Sequence, residues 1–181
     1  MRATIFVLGM VAGAAVLGFA VFAYFRLGIA PVATAEPPMF FEHALAKAAL
    51  HSRIRREMPA SVPIEADEAN LTAGAALYAK NCASCHGSPD KGSAPIAQGM
   101  FPDPPQLFVK MVTRDPEGEI YWKTKNGIRL TGMPAFGKSL SDTELWQVSV
   151  LLKHANALPQ DVKDALNEEK SCGVVVKSTE R

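Results

Sequence analysis

The stretch Asn81-Cys82-Ala83-Ser84-Cys85-His86-Gly87 carries the most specific chemical pattern in this sequence. Two cysteines separated by two residues, with a histidine directly after them, can belong to three kinds of site. The two thiols can each add to one vinyl group of a haem, and the histidine then ligates the iron. A redox dithiol also uses Cys-x-x-Cys, usually in a βαβ setting. A zinc site would need a second Cys/His pair at ligand spacing.

The flanking sequence favours the first of these sites. Residues Asp67–Lys80 have an apolar stripe at helical spacing, so the motif follows a helix rather than a strand. Cys172 and His154 do not form a second ligand pair for zinc. The sequence therefore predicts one covalent haem c with thioether bonds at Cys82 and Cys85, and with His86 as an axial iron ligand.

The second axial ligand is predicted to be Met133, which lies in a loop between Gly132 and Pro134. A thioether is a soft, neutral ligand that favours reduced iron, and the proline stiffens the neighbouring backbone. There are three competitors for this position. We interpret Met100 as a loop-rim residue, Met111 as a core residue and His154 as an exposed residue of the last helix. A sixth position that is open or weakly held remains the alternative.

The N-terminal region, residues 1–30, is predicted to be a transmembrane helix. No charged residue occurs from Ala3 to Phe25, and a bilayer core needs about 20 apolar residues. Ala33-Thr34-Ala35 fits a signal-peptide cleavage site, so a cleaved signal peptide is the alternative. We favour the anchor, because the apolar run is longer than the roughly 7–15 residues of a signal-peptide core. In either case the rest of the chain is exported.

Residues 31–66 are predicted to link the anchor to a domain at residues 67–158. Three prolines open the linker, and residues 40–57 then have helical spacing. This helix is either amphipathic on the membrane surface or a connector packed loosely on the domain. His43 and His51 are interpreted as solvated helix residues rather than iron ligands.

Two further helices are predicted inside the domain and one after it. Pro116–Lys125 has a proline near its start and a glycine after its end. The last domain helix begins at Ser141, where Glu144 completes a capping box. Residues 159–181 are a tail with a short polar helix over 160–170, followed by Cys172, to which we assign no chemistry.

Residues Asp67 to Leu158, half of the chain, resemble the class I c-type cytochromes. The resemblance rests on the Cys82–His86 motif after a helix, on the Gly132-Met133-Pro134 loop and on a closing helix that contains Trp146. It implies an all-α fold wrapped around one haem, in which the first and last helices cross. Gly74 and Tyr78 then stand at the crossing, with Trp146 and its neighbours facing them. Residues 101–107 resemble the loop that forms the haem wall.

The expected function is single-electron transfer in a bacterial respiratory or dehydrogenase-linked chain. The sequence contains no catalytic acid, base or nucleophile set, so we expect a carrier, or the electron-transfer subunit of an oxidoreductase complex, rather than an enzyme. Redox proteins are the expected partners, and a formal net charge of +1 gives no reason to expect nucleic acid. The expected location is the inner membrane, single-pass, with the haem domain in the periplasm. The alternative is a haem enzyme subunit or gas sensor with an exchangeable sixth ligand.

Overall fold

The computed structural model describes residues 2–108 and 112–167, and all regular structure within them is helical. The all-α prediction is therefore confirmed. Two compact units are present, residues 1–47 and residues 48–181. Short 3-10 turns occupy Pro95–Gly99, Val112–Arg114 and Ala155–Ala157. The α-helices are, in order, α1 Arg2–Arg26, α2 Glu42–Glu57, α3 Glu68–Asn81, α4 Ala83–His86, α5 Glu117–Asn126, α6 Asp142–Lys153 and α7 Gln160–Asn167.

The first unit is dominated by α1, a 25-residue helix none of whose side chains is buried. At roughly 1.5 Å per residue its length is about 37 Å, which exceeds the roughly 30 Å of a bilayer core. By length and composition α1 can therefore cross a membrane. A signal sequence has the same composition, so these properties alone leave both origins open.

Helix α3 delivers the chain to the cysteine motif. The carboxylate of Asp67 accepts a hydrogen bond of 2.8 Å from the backbone N–H of Asn70, which satisfies one of the free donors at the helix start. Leu71, Ala75 and Tyr78 line its buried face. The helix ends at Asn81, one residue beyond the predicted end.

Helices α3 and α6 cross at close range through Gly74. A Cβ at this position would lie 2.8 Å from the backbone carbon of Gln147 and 3.1 Å from Cβ of Leu151. Only glycine permits this approach, as the resemblance implied. Trp146 was expected to face the crossing, but its ring stacks on Tyr121, with centroids 4.3 Å apart and planes at 16°. Two adjacent residues of α6, Trp146 and Gln147, thus contact different helices, α5 and α3.

The start of α6 matches its prediction. Ser141 Oγ accepts from the N–H of Glu144, and Glu144 Oε2 accepts from the N–H of Ser141 at 2.7 Å. This is the reciprocal capping box. The backbone hydrogen bond holds the pKa of Glu144 below its usual value, so the carboxylate is ionised at neutral pH.

The main core extends beyond the predicted domain end at residue 158. Helix α7 was expected to be polar, yet Val162 is fully buried and Leu166 is 3% exposed. Both belong to the cluster that contains Tyr78 and Leu151. The apolar residues of α7 are few but lie four apart, so they share one face. Cys172 lies outside the described residues.

Candidate functional site

The cysteine motif folds as one short helical turn. Backbone N–H groups of Cys85 and His86 both donate to the carbonyl of Cys82, at 3.1 and 2.9 Å. Gly87 then adopts φ of 70°, which ends the turn. The Tyr78 hydroxyl donates to the Gly87 carbonyl at 2.8 Å, so α3 and the end of the motif are held together. This turn brings Cys82, Cys85 and His86 to one cavity.

The imidazole of His86 is oriented by a loop that is distant in sequence. Its Nδ1 lies 2.8 Å from the carbonyl oxygen of Pro105. Because a carbonyl only accepts, Nδ1 carries a proton in this contact, and Nε2 is the ring nitrogen that a metal ion would bind. A neutral imidazole held in this way by a backbone carbonyl is the usual arrangement of a metal-ligating histidine. Pro105 lies in the stretch predicted to resemble a haem wall.

The two cysteines are free thiols whose setting does not suit a redox dithiol. Burial raises the pKa of Cys82 to about 12, and the neighbouring Cys85 adds to the effect. A disulfide oxidoreductase needs a thiol whose pKa is lowered, because the thiolate is the nucleophile. A buried thiol that faces an apolar cavity instead suits the addition of its sulfur to a vinyl group of an apolar ligand held in that cavity.

Met133 lies in a loop that is pinned to the end of α5. Its N–H donates to Thr131 Oγ1 at 3.1 Å, and its carbonyl accepts from Ile128 N–H at 3.2 Å. Gly127 has φ of 65°, and a Cβ there would lie 2.7 Å from the Ala135 nitrogen and 2.9 Å from the Met133 oxygen. The loop therefore closes tightly on α5 only because residue 127 has no side chain.

The candidate iron ligands differ in whether they line the cavity that Met133 lines. His154 is exposed, and its Nδ1 lies 2.9 Å from the Val150 carbonyl of its own helix. His43 is also exposed. Met100 lines the same cavity as Met133, and a Cβ on Gly132 would lie 2.7 Å from the Met100 sulfur. Met111 lies outside the described residues. Met100 is thus the one alternative thioether that the described residues bring to the cavity.

The cavity itself suits a bulky apolar group. Its volume is about 350 Å³. The motif residues Cys82, Cys85 and His86 line it together with Met133. The remaining wall is mainly apolar, with Leu107, Ile120, Phe136, Val148 and Leu152 among its residues. Two thiols, one imidazole and a thioether are a donor set that fits a haem with covalent attachment.

Comparison with known proteins agrees with this geometry. Residues 69–152 match the family described as cytochrome c oxidase, cbb3-type, subunit III. Residues 69–152 are a class I c-type cytochrome domain. No curated protein matches the chain.

One solved structure that resembles the chain comes from the Kuenenia stuttgartiensis reducing HAO-like protein complex. Its chain is 23% identical over 55% of the present chain, with a TM-score of 0.46. The present chain spans about half (49%) of the length of that chain.

A cytochrome c domain implies covalent haem c and haem-based electron transfer.

The domain also places charges at the cavity that sequence reasoning missed. Lys123 and Asp115 line the cavity and form an ion pair of 3.0 Å, and Lys123 also contacts Glu119 at 2.7 Å. Burial opposes the charge on Lys123, but the hydrogen bonds with Glu119 and Asp115 outweigh it and raise the pKa. The lysine therefore stays charged at the cavity wall.

Leu50 is a second wall residue that sequence reasoning missed. It belongs to α2, before the residues that match the family, and it lines the same cavity as His86. A signal was present: Leu50 and Ile54 are four residues apart and share a helix face. Helix α2 also contacts α5, where the indole N–H of Trp122 donates to Glu57 Oε2 at 3.2 Å.

Proposed function

We propose that this chain is a membrane-anchored cytochrome with a single haem c that passes single electrons between redox proteins of a bacterial respiratory or dehydrogenase-linked chain. One observation carries the proposal: Cys82, Cys85, His86 and Met133 line one apolar cavity. In this proposal the cysteines supply the thioether bonds, and His86 and Met133 supply the axial ligands. The family's description as an oxidase subunit supports a place in an oxidoreductase complex.

Residues of this chain would hold the haem and tune its reduction potential. A bound haem supplies an iron that alternates between ferric and ferrous states. The Pro105 carbonyl fixes the orientation and tautomer of His86. The Ile128 and Thr131 hydrogen bonds hold the backbone of Met133 in place. Apolar side chains exclude water from the cavity, which disfavours the more highly charged ferric state and raises the reduction potential.

The proposed role is that of a carrier rather than an enzyme. With His86 and Met133 both ligating the iron, a bound haem would have no open position for a substrate. We further propose that α1 stays in the inner membrane and that the cytochrome domain lies in the periplasm, since covalent haem attachment of this type occurs outside the cytoplasmic membrane. An oxidised or reduced partner protein then exchanges one electron with the domain.

The test is a redox titration of the purified full chain, with Met133→Leu and Met100→Leu as a matched pair. We expect one reversible one-electron transition, and slow or absent binding of carbon monoxide to the ferrous protein. Met133→Leu removes the thioether ligand, so the potential falls and carbon monoxide binds rapidly. Met100→Leu, at the same cavity, leaves both properties close to those of the wild type.

Two outcomes would contradict the proposal. Rapid binding of carbon monoxide to the unaltered ferrous protein would favour the alternative, a gas sensor or haem enzyme subunit with an exchangeable sixth position. A fall in potential with Met100→Leu but not with Met133→Leu would move the axial ligand to Met100.

A further inference from the structure

The C-terminal part of α2 packs on the cytochrome domain although it precedes the residues that match the family. Ile54 is only 1% exposed, as deeply buried as the core residues of α3 and α6. A connector helix surrounded by solvent would leave this isoleucine exposed. Residues 48–57 are therefore part of the folded unit that contains the cytochrome domain.

One polar contact joins this segment to α5, and an ion pair within α2 supports the carboxylate that makes it. Glu57 accepts from the indole N–H of Trp122 at 3.2 Å, and its other oxygen pairs with Arg53 at 2.5 Å. The hydrogen bond with Arg53 holds the pKa of Glu57 below its usual value. The carboxylate is therefore ionised at neutral pH, and the Trp122 bond is charge-assisted.

The backbone after α2 also approaches α5 closely. A Cβ on Gly118 would overlap the carbonyl oxygen of Pro59 and would lie 3.2 Å from its carbonyl carbon. The first turn of α5 can thus accept Pro59 only because residue 118 is glycine. Gly118 and Trp122 are four apart, so the contact runs along one face of α5.

This packing places Leu50 at the cavity. Leu50 lies one turn before Ile54 and lines the same cavity as His86 and Met133. An apolar side chain at that wall occupies space that water would otherwise take. Water at a haem stabilises the ferric state, which carries the greater charge, so the wall bears on the reduction potential.

We propose that residues 50–57 form a wall of the haem pocket, in which Leu50 shields the haem from water and the Glu57–Trp122 pair positions the wall. The segment between the apolar N-terminal helix and the cytochrome domain then tunes the domain as well as connecting the two. This inference rests on the proposed function, since it requires a haem in the cavity.

The first experiment measures the midpoint potential of the full chain with Leu50→Ser. We expect a lower potential than in the wild type and faster reaction of the ferrous protein with a small soluble oxidant. Ala49→Ser is the control, because Ala49 is exposed and adjacent on the same helix. Leu50→Met restores an apolar side chain of similar size and is expected to restore the wild-type potential. Equal potentials in Leu50→Ser and Ala49→Ser overturn the proposal.

The second experiment measures hydrogen exchange of the backbone amides of residues 50–57. These amides are expected to exchange as slowly as those of α5 in the unaltered chain. Trp122→Phe removes the N–H donor but keeps a ring, so exchange accelerates in this segment and the potential shifts in the same direction as with Leu50→Ser. Fast exchange in the unaltered chain, or no change with Trp122→Phe, contradicts the positioning role.

The two experiments separate this inference from the proposed function. A chain that carries no covalent haem refutes the proposed function, while the exchange measurement still reports whether α2 is docked. A chain with normal haem, one-electron titration and a potential that ignores Leu50 refutes the inference alone.

Discussion

Gly127 permits the loop that carries Met133. Its φ of 65° lies in the left-handed region, and backbone atoms of Pro134 and Ala135 stand 2.7 Å from where a Cβ would be. A side chain would therefore have to displace backbone atoms rather than a flexible side chain. The position links local backbone geometry directly to the proposed axial ligand.

Gly127→Ala is expected to destabilise the protein by about 1–3 kcal/mol, since strain at a left-handed position adds to the steric overlap. The displaced loop is also expected to weaken the Met133–iron bond and lower the potential. Chemical denaturation and redox titration measure the two effects. Gly92→Ala is the control, because nothing lies within 4 Å of its Cβ position. Equal effects of the two substitutions would contradict this role of Gly127.

At the residue scale, the sequence predicts those functional residues that lie at a short, fixed spacing along the chain. Cys82, Cys85 and His86 can be assigned from their chemistry because thioether attachment demands two cysteines separated by two residues and a histidine directly after them. The contact of His86 with Pro105 and the placement of Met100 against Gly132 depend on how distant loops meet. No local pattern encodes these contacts, so the sequence leaves the alternatives for the sixth ligand open.

Helices were predicted well where their ends carry cap signals. Ser141 caps α6 as expected, Asp67 caps α3 where a helix start was expected, and α5 begins directly after Pro116. The role of α7 was not predicted, because two apolar residues in a short polar helix give a weak pattern. Its packing against α3 is a tertiary effect that composition does not reveal.

Helix α7 therefore contributes to stability, and Leu166→Ala tests this contribution. Removing a 3% exposed leucine from the main core is expected to cost about 2–4 kcal/mol. Denaturant unfolding of the haem-containing chain measures the change. Leu130→Ala is the matched control, since Leu130 is 92% exposed, and it should stay within about 0.5 kcal/mol of the wild type. A cost for Leu166→Ala as small as that of the control would show that α7 does not stabilise the domain.

At the scale of the whole molecule, the chain divides into an N-terminal unit with one long apolar helix and a unit that contains the cytochrome domain. Composition predicts the long apolar helix, but not the boundary after residue 47, which falls inside the predicted linker of residues 31–66. It does not distinguish an anchor from a signal sequence, as the two share their composition. The difference lies in processing rather than in structure.

The anchor proposal predicts that the mature protein keeps residues 2–26. Intact mass of the protein purified from membranes should equal the full chain plus one haem, and alkaline washing should leave the protein in the membrane fraction. An N-terminus created by cleavage after Ala35, with the protein released into the soluble fraction, would show that the apolar helix is a signal peptide.

The central claim is that one haem is bound covalently at Cys82–His86. The most direct measurement is the mass of the purified, denatured full chain, compared with the Cys82→Ala/Cys85→Ala double variant. The account predicts a mass increase of one haem that survives denaturation in the unaltered chain and is absent from the double variant. A chain without added mass, or a double variant that retains the haem after denaturation, would contradict it.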